Sequence, residues 1–547
     1  MFFYVIFVII GILCIKSNNF EIADSLFILL STLCEIFILN YIILNIKNIF
    51  LKYTCGCIVG IIYIAQIVAL YISDDFISVL AFQNIQYVTL VINFKMLIFA
   101  CVSLLLLLGG LAADFYFFRR NQKENISTTV IGGALSFFLV AYLFNYPAPV
   151  ISCLHNAFCA IRNENQFVSQ NSLEIKKHVY KSSIPFCSSV KKPNVLIFFM
   201  EGTSKRCLTE FNDRFPGLTP NILRFISESC DVKNYYSHTA ATFRGIEGAL
   251  CSSFPYFGGN GGWMQRHDEL KLHTYHSVIP LLKKNGYSTV FFNPHGHTDA
   301  LKYMLNAIGF EKVYTGESLC QEFLGVQYGS ITRHNAIPDR ELFKSIKGFL
   351  ESSPQTPFFV GAYNIETHAF VDTKENGIKY GNGKNISLNT IHNYDTCFGE
   401  FWNWFKTSPY SSNTILILTA DHSHFPEPPF CEVAGETFQR VFVDEIPFYI
   451  HAPFMDLPKK FSSGGLLSSL DLAPTICHLL SINEPNYFMG KSIFERGAED
   501  FVVNWQGEGF LVTRKGIFHE KRIPETYRKR FEFELKKITY SQGRDKE

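Results

Sequence analysis

Hydrophobic positions are distributed unevenly along this chain of 547 residues. Before residue 150, apolar runs separated by short polar segments occupy residues 2–16, 24–48, 55–73, 93–117 and 128–146. Most of these runs are long enough to cross a hydrocarbon core of about 30 Å. The first run lacks the basic segment and cleavage site of a secretory signal, so we interpret it as a retained span. The pattern predicts a transmembrane domain of five helices over residues 1–146.

Charged loop residues orient the predicted spans. The second loop carries Lys47 and Lys52, and the fourth carries Arg119, Arg120 and Lys123. Basic loops stay on the cytoplasmic side of the membrane. The N-terminus is therefore predicted inside, and everything after the fifth span outside the cytoplasm. An acid within a span, such as Glu35, is expected at a helix end or facing the bundle rather than the lipid.

The pattern changes after the fifth run. Residues 147–192 form a polar connector with some helical character, and short apolar strands then alternate with amphipathic helices. The predicted strands are 194–200, 287–295, 357–365, 414–420 and 446–453, and the predicted helices are 219–229, 277–286, 393–408 and 471–482, the last capped by Asp471. This alternation predicts an α/β domain over 193–520, with a mostly parallel sheet covered on both faces. A charged tail, 521–547, follows.

Composition adds two constraints. The formal net charge of +1 gives no reason to expect a nucleic-acid partner, and all 16 histidines lie after residue 150. Outside the apolar runs there are ten cysteines, an even number that permits disulfides in an oxidising compartment, although the sequence does not determine their pairing.

Carboxylates and imidazoles follow four of the predicted strands. After the respective strands come Glu201, then His295 and His297, then His368, and finally Asp421, His422 and His424. Ligands of such sheets bind outside the carboxyl ends of the strands. One polar strand end is an ordinary turn, but four of this composition predict a single site.

Three of these residues suit a divalent metal ion. Glu201, Asp421 and His422 supply the oxygen and nitrogen ligands that zinc or manganese binds. Three protein ligands leave room for a fourth group, and a metal ion lowers the pKa of a hydroxyl bound to it. We therefore expect a serine or threonine nucleophile at this site.

The segment SHTAATFRGIEGALCSS, residues 237–253, offers that nucleophile. A β-like piece enters a turn of small residues, and Thr242 lies where the next helix begins. Backbone N–H groups and the helix dipole favour anions there. The alternative is that Thr242 only caps the helix. Likewise, Arg244 either pairs with phosphate oxygens or forms a structural pair with Glu247.

Several motifs together resemble a known family. EGTS (201–204), TPNILRFI (219–226), T-x-R-G-x-E (242–247), PDRELF (338–343), ETHAF (366–370), TADH (419–422), IPFYIHAP (446–453) and DLAPTICHLL (471–480) occur in the order found in lipoteichoic acid synthases. More broadly, they resemble the membrane-anchored phosphoglycerol and phosphoethanolamine transferases of the sulfatase and alkaline phosphatase superfamily. The resemblance covers roughly residues 190–485, and the apolar front matches the family's layout.

The resemblance implies an alkaline-phosphatase/sulfatase-like fold with one divalent metal ion, Mn²⁺, Mg²⁺ or Zn²⁺. The implied ligands are Glu201, Thr242, Asp421 and His422, with Thr242 also the nucleophile. His368 would contact the phosphate or protonate the leaving oxygen. His295 falls near a second substrate-contacting histidine, and Arg244, His297 and His424 complete the expected substrate-binding set.

The implied function is transfer of phosphoglycerol from a phospholipid such as phosphatidylglycerol to an envelope glycan or glycolipid, through a phosphothreonine and with release of diacylglycerol. The location would be the bacterial cytoplasmic (inner) membrane, crossed several times, with the catalytic domain outside the cytoplasm. The family's Trp-x-Arg pair is absent from GHTDALKYM, residues 296–304, which leaves the donor head group open.

Alternatives remain at this stage. A phosphoethanolamine transferase would take phosphatidylethanolamine as donor and modify lipid A or another surface glycan, and often has a further metal-site histidine downstream. His451 follows a predicted strand and is the best placed for that role, whereas His478 is expected in the core and His519 in solvent. A non-catalytic, lipid-binding relative would be expected to lack Thr242 or a metal ligand. Sulfatase activity itself is disfavoured because CSSFPYF, residues 251–257, lacks the arginine of C/S-x-P-x-R.

Overall fold

The structure is a computed structural model that describes residues 2–16, 22–73, 76–83, 148–165, 178–179, 188–208, 210–255, 275–297, 300–332, 335–373 and 377–542. Two compact units are present. The first comprises Met1–Asn165 with Gln439–Val441, and the second comprises Gln166–Phe438 with Phe442–Glu547.

The first unit contains apolar helices over the first three predicted spans. Its described helices are α1 (Phe2–Lys16), α2 (Ile22–Asn45), α3 (Ile49–Ser73), α4 (Val79–Gln83) and α5 (Pro149–Asn165). Two segments among the described residues, Ser25–Ile43 and Ile49–Tyr71, are long and apolar enough to cross a membrane, whereas α1 contributes only the shorter apolar stretch Ile6–Ile15. The predicted spans 93–117 and 128–146 lie outside the described residues. Of the three predicted spans that fall within the described residues, two are therefore candidate membrane spans.

Glu35 faces the interior of this helical unit, as predicted. Its carboxylate accepts hydrogen bonds from the Tyr63 hydroxyl at 2.7 Å and from the backbone N–H groups of Val150 and Ile151 at 3.0 and 2.9 Å. Those two N–H groups belong to the first turn of α5, where helical N–H groups have no partner within the helix. The buried acid thus caps the N-terminus of the connector helix.

The second unit is built on an eight-stranded sheet in the order β10-β3-β9-β8-β2-β7-β5-β6. Its strands and those of three small sheets are β1 (His178–Val179), β2 (Asn194–Met200), β3 (Cys230–Val232), β4 (Tyr235–Tyr236), β5 (Ser288–Phe292), β6 (Lys312–Tyr314), β7 (Phe358–Tyr363), β8 (Thr414–Ala420), β9 (Phe448–His451), β10 (Lys460–Phe461), β11 (Leu467–Ser468), β12 (Pro485–Asn486), β13 (Phe501–Trp505), β14 (Gly509–Thr513) and β15 (Gly516–His519).

Helices connect these strands. They are α6 (Pro220–Ser227), α7 (Thr242–Cys251), α8 (Val278–Lys284), α9 (Ala300–Ala307), α10 (Gly316–Leu319), α11 (Tyr328–Ile331), α12 (Asp339–Glu351), α13 (Ile386–Thr407), α14 (Pro428–Ala434), α15 (Leu472–Leu479) and α16 (Glu525–Gln542). Short 3₁₀ turns occupy Lys205–Cys207, Ser469–Asp471 and Glu520–Arg522, and a π turn occupies Cys320–Leu324.

The central strands β8, β2, β7 and β5 are parallel neighbours, so their carboxyl ends lie at one edge of the sheet. This confirms the predicted mostly parallel sheet. Strand β9 instead runs antiparallel to β8, with His451 opposite Leu416 near the start of β8. The suggestion that His451 joins the site is therefore wrong, because the carboxyl end of an antiparallel strand lies at the opposite edge.

Much of the phenylalanine content is used in the core between the sheet and its helices. All seven residues of β2 are buried. Phe198 on that strand contacts Phe343 of α12 at 5.3 Å between ring centroids, and Phe401 of α13 at the same separation. The tilted and edge-on arrangements are those that aromatic pairs prefer. Helix α13 starts earlier than the predicted helix at 393.

Two further expectations need correction. Asp471 precedes α15, but its side chain makes no cap of that helix; the carboxylate accepts from the backbone N–H groups of Ser468 and Lys491 and pairs with Arg496. The antiparallel sheet β13-β14-β15 was not predicted, and it follows the last motif of the resemblance. None of the cysteines in the described part of the chain forms a disulfide.

Candidate active site

Strands β2 and β8 bring three predicted metal ligands together. Suitable donor atoms of Glu201, Asp421 and His422 all lie within 4.8 Å of one another, and all three residues are buried. His422 Nε2 is 3.4 Å from Glu201 Oε1 and 3.5 Å from Asp421 Oδ2. The two strands pair in parallel, with Met200 opposite Ala420, so the residues that follow must be neighbours.

Backbone hydrogen bonds set the orientation of these side chains. Asp421 Oδ1 accepts from the N–H groups of Gly202 at 2.9 Å and of His422 at 2.8 Å. Gly202 adopts a φ of 50°, a conformation that glycine tolerates best. His422 Nδ1 donates to the carbonyl of Ser423 at 2.7 Å, which leaves Nε2 as the ring atom directed at the two carboxylates.

The three groups perturb one another strongly. Burial and the neighbouring charge of Glu201 raise the pKa of Asp421 to about 7. Burial opposes charge on His422, but Asp421 and Glu201 outweigh it and raise the pKa of the imidazole to about 9. Burial raises the pKa of Glu201, but the hydrogen bond and charge of His422 help to lower it. The net result is a pKa below the usual value. Such mutual perturbation is typical of functional sites.

The residues present fit a divalent cation. Asp421 Oδ2 is buried and has no hydrogen-bond partner in the described part of the chain. An orphaned carboxylate oxygen is costly unless a proton or a cation neutralises it. Two carboxylates and one imidazole with an inward-facing Nε2 form a donor set that accepts Zn²⁺ or Mn²⁺.

Thr242 lies directly beside this cluster. It is the first residue of α7, and its hydroxyl donates to Glu201 Oε2 at 2.6 Å. The residue at the N-cap is Ala241, so the alternative that Thr242 caps the helix is wrong. The hydroxyl faces the candidate metal ligands, and the residue as a whole is half-buried.

Arg244, two residues along the same helix, is 1% exposed. Burial lowers its pKa to about 10, while the charge of Glu247 acts in the opposite direction. Glu247 therefore acts on Arg244 electrostatically, and a structural pair between them stays a prediction. A role on phosphate oxygens stays a prediction.

The loop after β7 places His368 next to Glu201. The hydroxyl of Thr367 donates to the Glu201 carbonyl at 2.7 Å, and the Glu201 N–H donates to Asn364 Oδ1 at 2.9 Å. His368 is half-buried, and its Nδ1 donates to the carbonyl of Ala369 at 2.7 Å. The other ring nitrogen, Nε2, is therefore the atom available to a substrate.

The remaining predicted histidines differ in their surroundings. His295 follows β5, donates from Nδ1 to the Asn335 carbonyl at 3.1 Å and lies 5.8 Å from the Tyr363 ring at the end of β7. His295 therefore lies at the edge of the sheet where it was predicted. His297 is exposed and pairs with Glu317 at 2.9 Å.

His424 is held by the protein on both sides of its ring. Nδ1 donates to the Gly202 carbonyl at 2.6 Å, and Nε2 lies 3.3 Å from Glu427 Oε1. With both nitrogens engaged and the side chain buried, His424 connects the loops after β2 and β8. This geometry does not favour the predicted contact between His424 and substrate.

Sequence reasoning missed several residues that build the site. Glu427 accepts from the Phe370 N–H at 2.6 Å and from the Ser387 hydroxyl at 3.1 Å, so it ties the His368 loop to α13. Gly245 lets α7 approach the backbone of Asp421, because a Cβ atom there would overlap the Asp421 carbonyl. The T-x-R-G spacing was visible in the sequence, but the close approach that requires glycine was not.

Comparison with known proteins agrees with this geometry. Residues 193–482, more than half of the chain, match the Sulfatase family. The chain is 24% identical to lipoteichoic acid synthase 2 of Bacillus subtilis over 236 residues, 40% of this chain and 34% of the relative. It is 25% identical to phosphoglycerol transferase I of Citrobacter koseri over 256 residues, 43% of this chain and 32% of the relative. The chain thus matches about a third of the length of these two curated relatives.

A solved structure supports the fold. The crystal structure of the lipoteichoic acid synthase LtaP from Listeria monocytogenes superposes with a TM-score of 0.52 at 18% identity, covering 70% of this chain and 97% of the other. The family match, the shared fold and the buried metal-type cluster at the strand ends agree with one another. The chain belongs to the sulfatase family of the alkaline phosphatase superfamily and is homologous to lipoteichoic acid synthases and phosphoglycerol transferases.

Proposed function

We propose that this protein is a metal-dependent phosphotransferase that moves the phosphoglycerol head group of a membrane phospholipid to an envelope glycan or glycolipid. Homology supports phosphoglycerol transfer in general. The observation that carries the proposal for this chain is the Thr242 hydroxyl, which donates to Glu201 at 2.6 Å beside Asp421 Oδ2, an oxygen that accepts no hydrogen bond from the described residues.

Glu201, Asp421, His422 and the Thr242 oxygen would hold the cation. A bound Mn²⁺, Mg²⁺ or Zn²⁺ ion lowers the pKa of a hydroxyl and neutralises charge on phosphate oxygens. Within the protein, the hydrogen bond to Glu201 fixes the Thr242 rotamer and gives its proton an acceptor. The N-terminus of α7 places backbone N–H groups where the phosphate would bind.

The first half-reaction follows from this placement. The Thr242 oxygen attacks phosphorus, the bond to the diacylglycerol oxygen breaks, and a phosphothreonine diester forms. His368 Nε2 protonates the leaving diacylglycerol oxygen, because Nδ1 is committed to the Ala369 carbonyl. Positioning of nucleophile and proton donor accounts for most of the acceleration in phosphoryl transfer.

The second half-reaction reverses these roles. An acceptor hydroxyl loses its proton to His368, attacks the phosphothreonine phosphorus and releases Thr242. His295, on the neighbouring strand end, would contact the acceptor or the head group. The apolar helices of the first unit would keep the enzyme on the membrane that holds its donor, which raises the effective donor concentration.

Phosphoethanolamine transfer is the second candidate. The observation that favours it is the absence of Trp-x-Arg downstream of His295, where helix α9 (Ala300–Ala307) begins. The same nucleophile and metal ligands would serve, with phosphatidylethanolamine as donor. A non-catalytic, lipid-binding role is a weaker proposal because the nucleophile and all three other ligands are retained.

The test is to identify the group that Thr242 acquires. The full chain, reconstituted with Mn²⁺ in vesicles containing either phosphatidylglycerol or phosphatidylethanolamine, is quenched in acid and digested. Mass spectrometry of the peptide with Thr242 should show added glycerol phosphate from the first vesicles. Added ethanolamine phosphate from the second vesicles alone would replace the donor assignment, and an unmodified peptide with active turnover would refute the covalent intermediate.

A further inference from the structure

The backbone immediately before Thr242 is strained. Ala241 has φ 70° and ψ 137°, a combination that residues with a side chain rarely adopt. Strained backbone persists only where the surroundings hold it, and it clusters at functional sites. Something must therefore hold the segment that leads into Thr242.

Strand β13 holds that segment through hydrogen bonds to the three consecutive residues 237–239. Asn504 Nδ2 donates to the carbonyls of Ser237 at 2.8 Å and Thr239 at 3.3 Å. The Trp505 N–H donates to the His238 carbonyl at 2.8 Å, and the Thr239 hydroxyl donates to the Trp505 carbonyl at 2.6 Å. Because consecutive residues 237–239 are all bonded, the chain enters the turn in one conformation.

The orientation of Asn504 is itself determined. Gln506 Nε2 donates to Asn504 Oδ1 at 2.8 Å, so the amide nitrogen of Asn504 must point at the 237–239 backbone. The same Gln506 nitrogen donates to the Phe442 carbonyl at 2.7 Å. The Phe442 ring stands edge-on to His422 at 5.2 Å, so one network contacts both the nucleophile segment and a metal ligand.

We infer that Asn504 is a positioning residue for Thr242: its amide holds residues 237–239 so that Ala241 stays at positive φ and the Thr242 hydroxyl stays against Glu201. This rests on the proposed role of Thr242 as nucleophile. Strand β13 lies beyond residues 193–482, the part matched to the family, so the inference assigns a role to a segment outside that match. Asn504 is fully buried and touches no reacting atom itself.

Three variants of the full chain test the inference. Asn504→Ala removes the two donors. Ala241→Gly removes the strain, because glycine adopts positive φ freely. Thr513→Val is the matched control: it removes a part-buried hydrogen bond of the same sheet, from the Thr513 hydroxyl to the Gly516 carbonyl. Thr513 lies on β14 and pairs with Phe501, at the end of β13 away from Asn504.

Two readouts apply, diacylglycerol release from phosphatidylglycerol vesicles with Mn²⁺ and hydrogen exchange of amides 239–245. We expect Asn504→Ala to lower kcat about 100-fold with KM changed little, as misplacement of a reacting group does. Amide exchange in 239–245 should accelerate. Adding Ala241→Gly to the Asn504→Ala variant should restore part of kcat. Thr513→Val should change neither readout.

Several results would overturn the inference: unchanged exchange in Asn504→Ala, equal effects in Thr513→Val, or no recovery of kcat with Ala241→Gly. Failure of the proposed function looks different. If the wild-type chain turns over no lipid, the phosphotransferase proposal fails, and exchange of amides 239–245 still decides whether Asn504 holds the segment.

Discussion

The backbone carbonyl of Asp421 occupies the space that a side chain on Gly245 would need. This contact brings the first turn of α7 directly against the end of β8, and so places Thr242 beside the candidate metal ligands. The helix could not approach so closely with any other residue at 245.

Gly245→Ala is therefore expected to disrupt the site. A Cβ atom against rigid backbone forces α7 away from β8, which costs about 1–3 kcal/mol or more. Transfer activity and Mn²⁺ affinity should both fall sharply, measured by diacylglycerol release and calorimetric titration. Gly329→Ala is the control, since a Cβ at Gly329 meets nothing within 4 Å. Normal Mn²⁺ binding in Gly245→Ala would show that the contact is not essential.

Thr242→Ala should abolish transfer while leaving metal binding largely intact. The hydroxyl is the proposed attacking group, whereas Glu201, Asp421 and His422 remain to bind the ion. We expect kcat to fall by roughly 10³-fold or more, with Mn²⁺ affinity changed modestly. Thr242→Ser keeps the hydroxyl and should retain measurable turnover. Residual activity near wild type in the alanine variant would remove Thr242 from the mechanism.

His368→Ala should slow transfer about 10²–10⁴-fold, the usual contribution of a general acid or base. Because His368 is not in the metal-type cluster, Mn²⁺ affinity should stay the same. His424→Ala is the informative comparison. Since both His424 nitrogens bind the protein, that variant should mainly lower Tm. If His424→Ala instead raised KM without changing Tm, His424 would be assigned to substrate binding.

The stability of the metal-free protein should fall as pH rises. Folding raises the pKa of Asp421 from 3.8 to about 7 and of His422 from 6.5 to about 9. Both groups bind protons more tightly when folded, so they stabilise most below their unfolded pKa values, and that stabilisation is lost as pH rises through about 7 and 9. Glu201 has a lowered pKa, so its contribution is present above its unfolded value and stays constant over this range.

Metal should reverse that trend, because its ligands bind in their deprotonated forms. The Tm difference between Mn²⁺-loaded and chelator-treated protein is expected to widen from pH 5.5 to pH 8.5, a rough window around these shifts. Differential scanning calorimetry measures it directly. Asp421→Asn, which removes one titrating ligand, should flatten the dependence, and a Tm difference independent of pH in the wild type would contradict the assignment of the cluster as a metal site.

Much of the fold followed from local pattern. Strands β2, β5, β7 and β8 fell where short apolar runs predicted them, because a strand buried on both faces must be apolar throughout. The residues after those runs then shared one edge, because parallel neighbours end together. Glu201 and Asp421 are 220 positions apart in sequence, yet the strand pattern alone placed them at the same edge of the sheet.

Other features depended on contacts that no local pattern encodes. His422 and His424 are two residues apart, but the fold directs one ring at the carboxylates and binds the other at both nitrogens. Pairing between distant segments sets the direction of β9, which keeps His451 out of the site. It also sets the hydrogen bonds that β13 makes to residues 237–239. The sequence by itself determined which side chains reach the sheet edge, since strand length and periodicity are local properties. Only the tertiary structure decided which of them face the reaction centre, because burial, close approach and hydrogen-bond partners are set by residues hundreds of positions away.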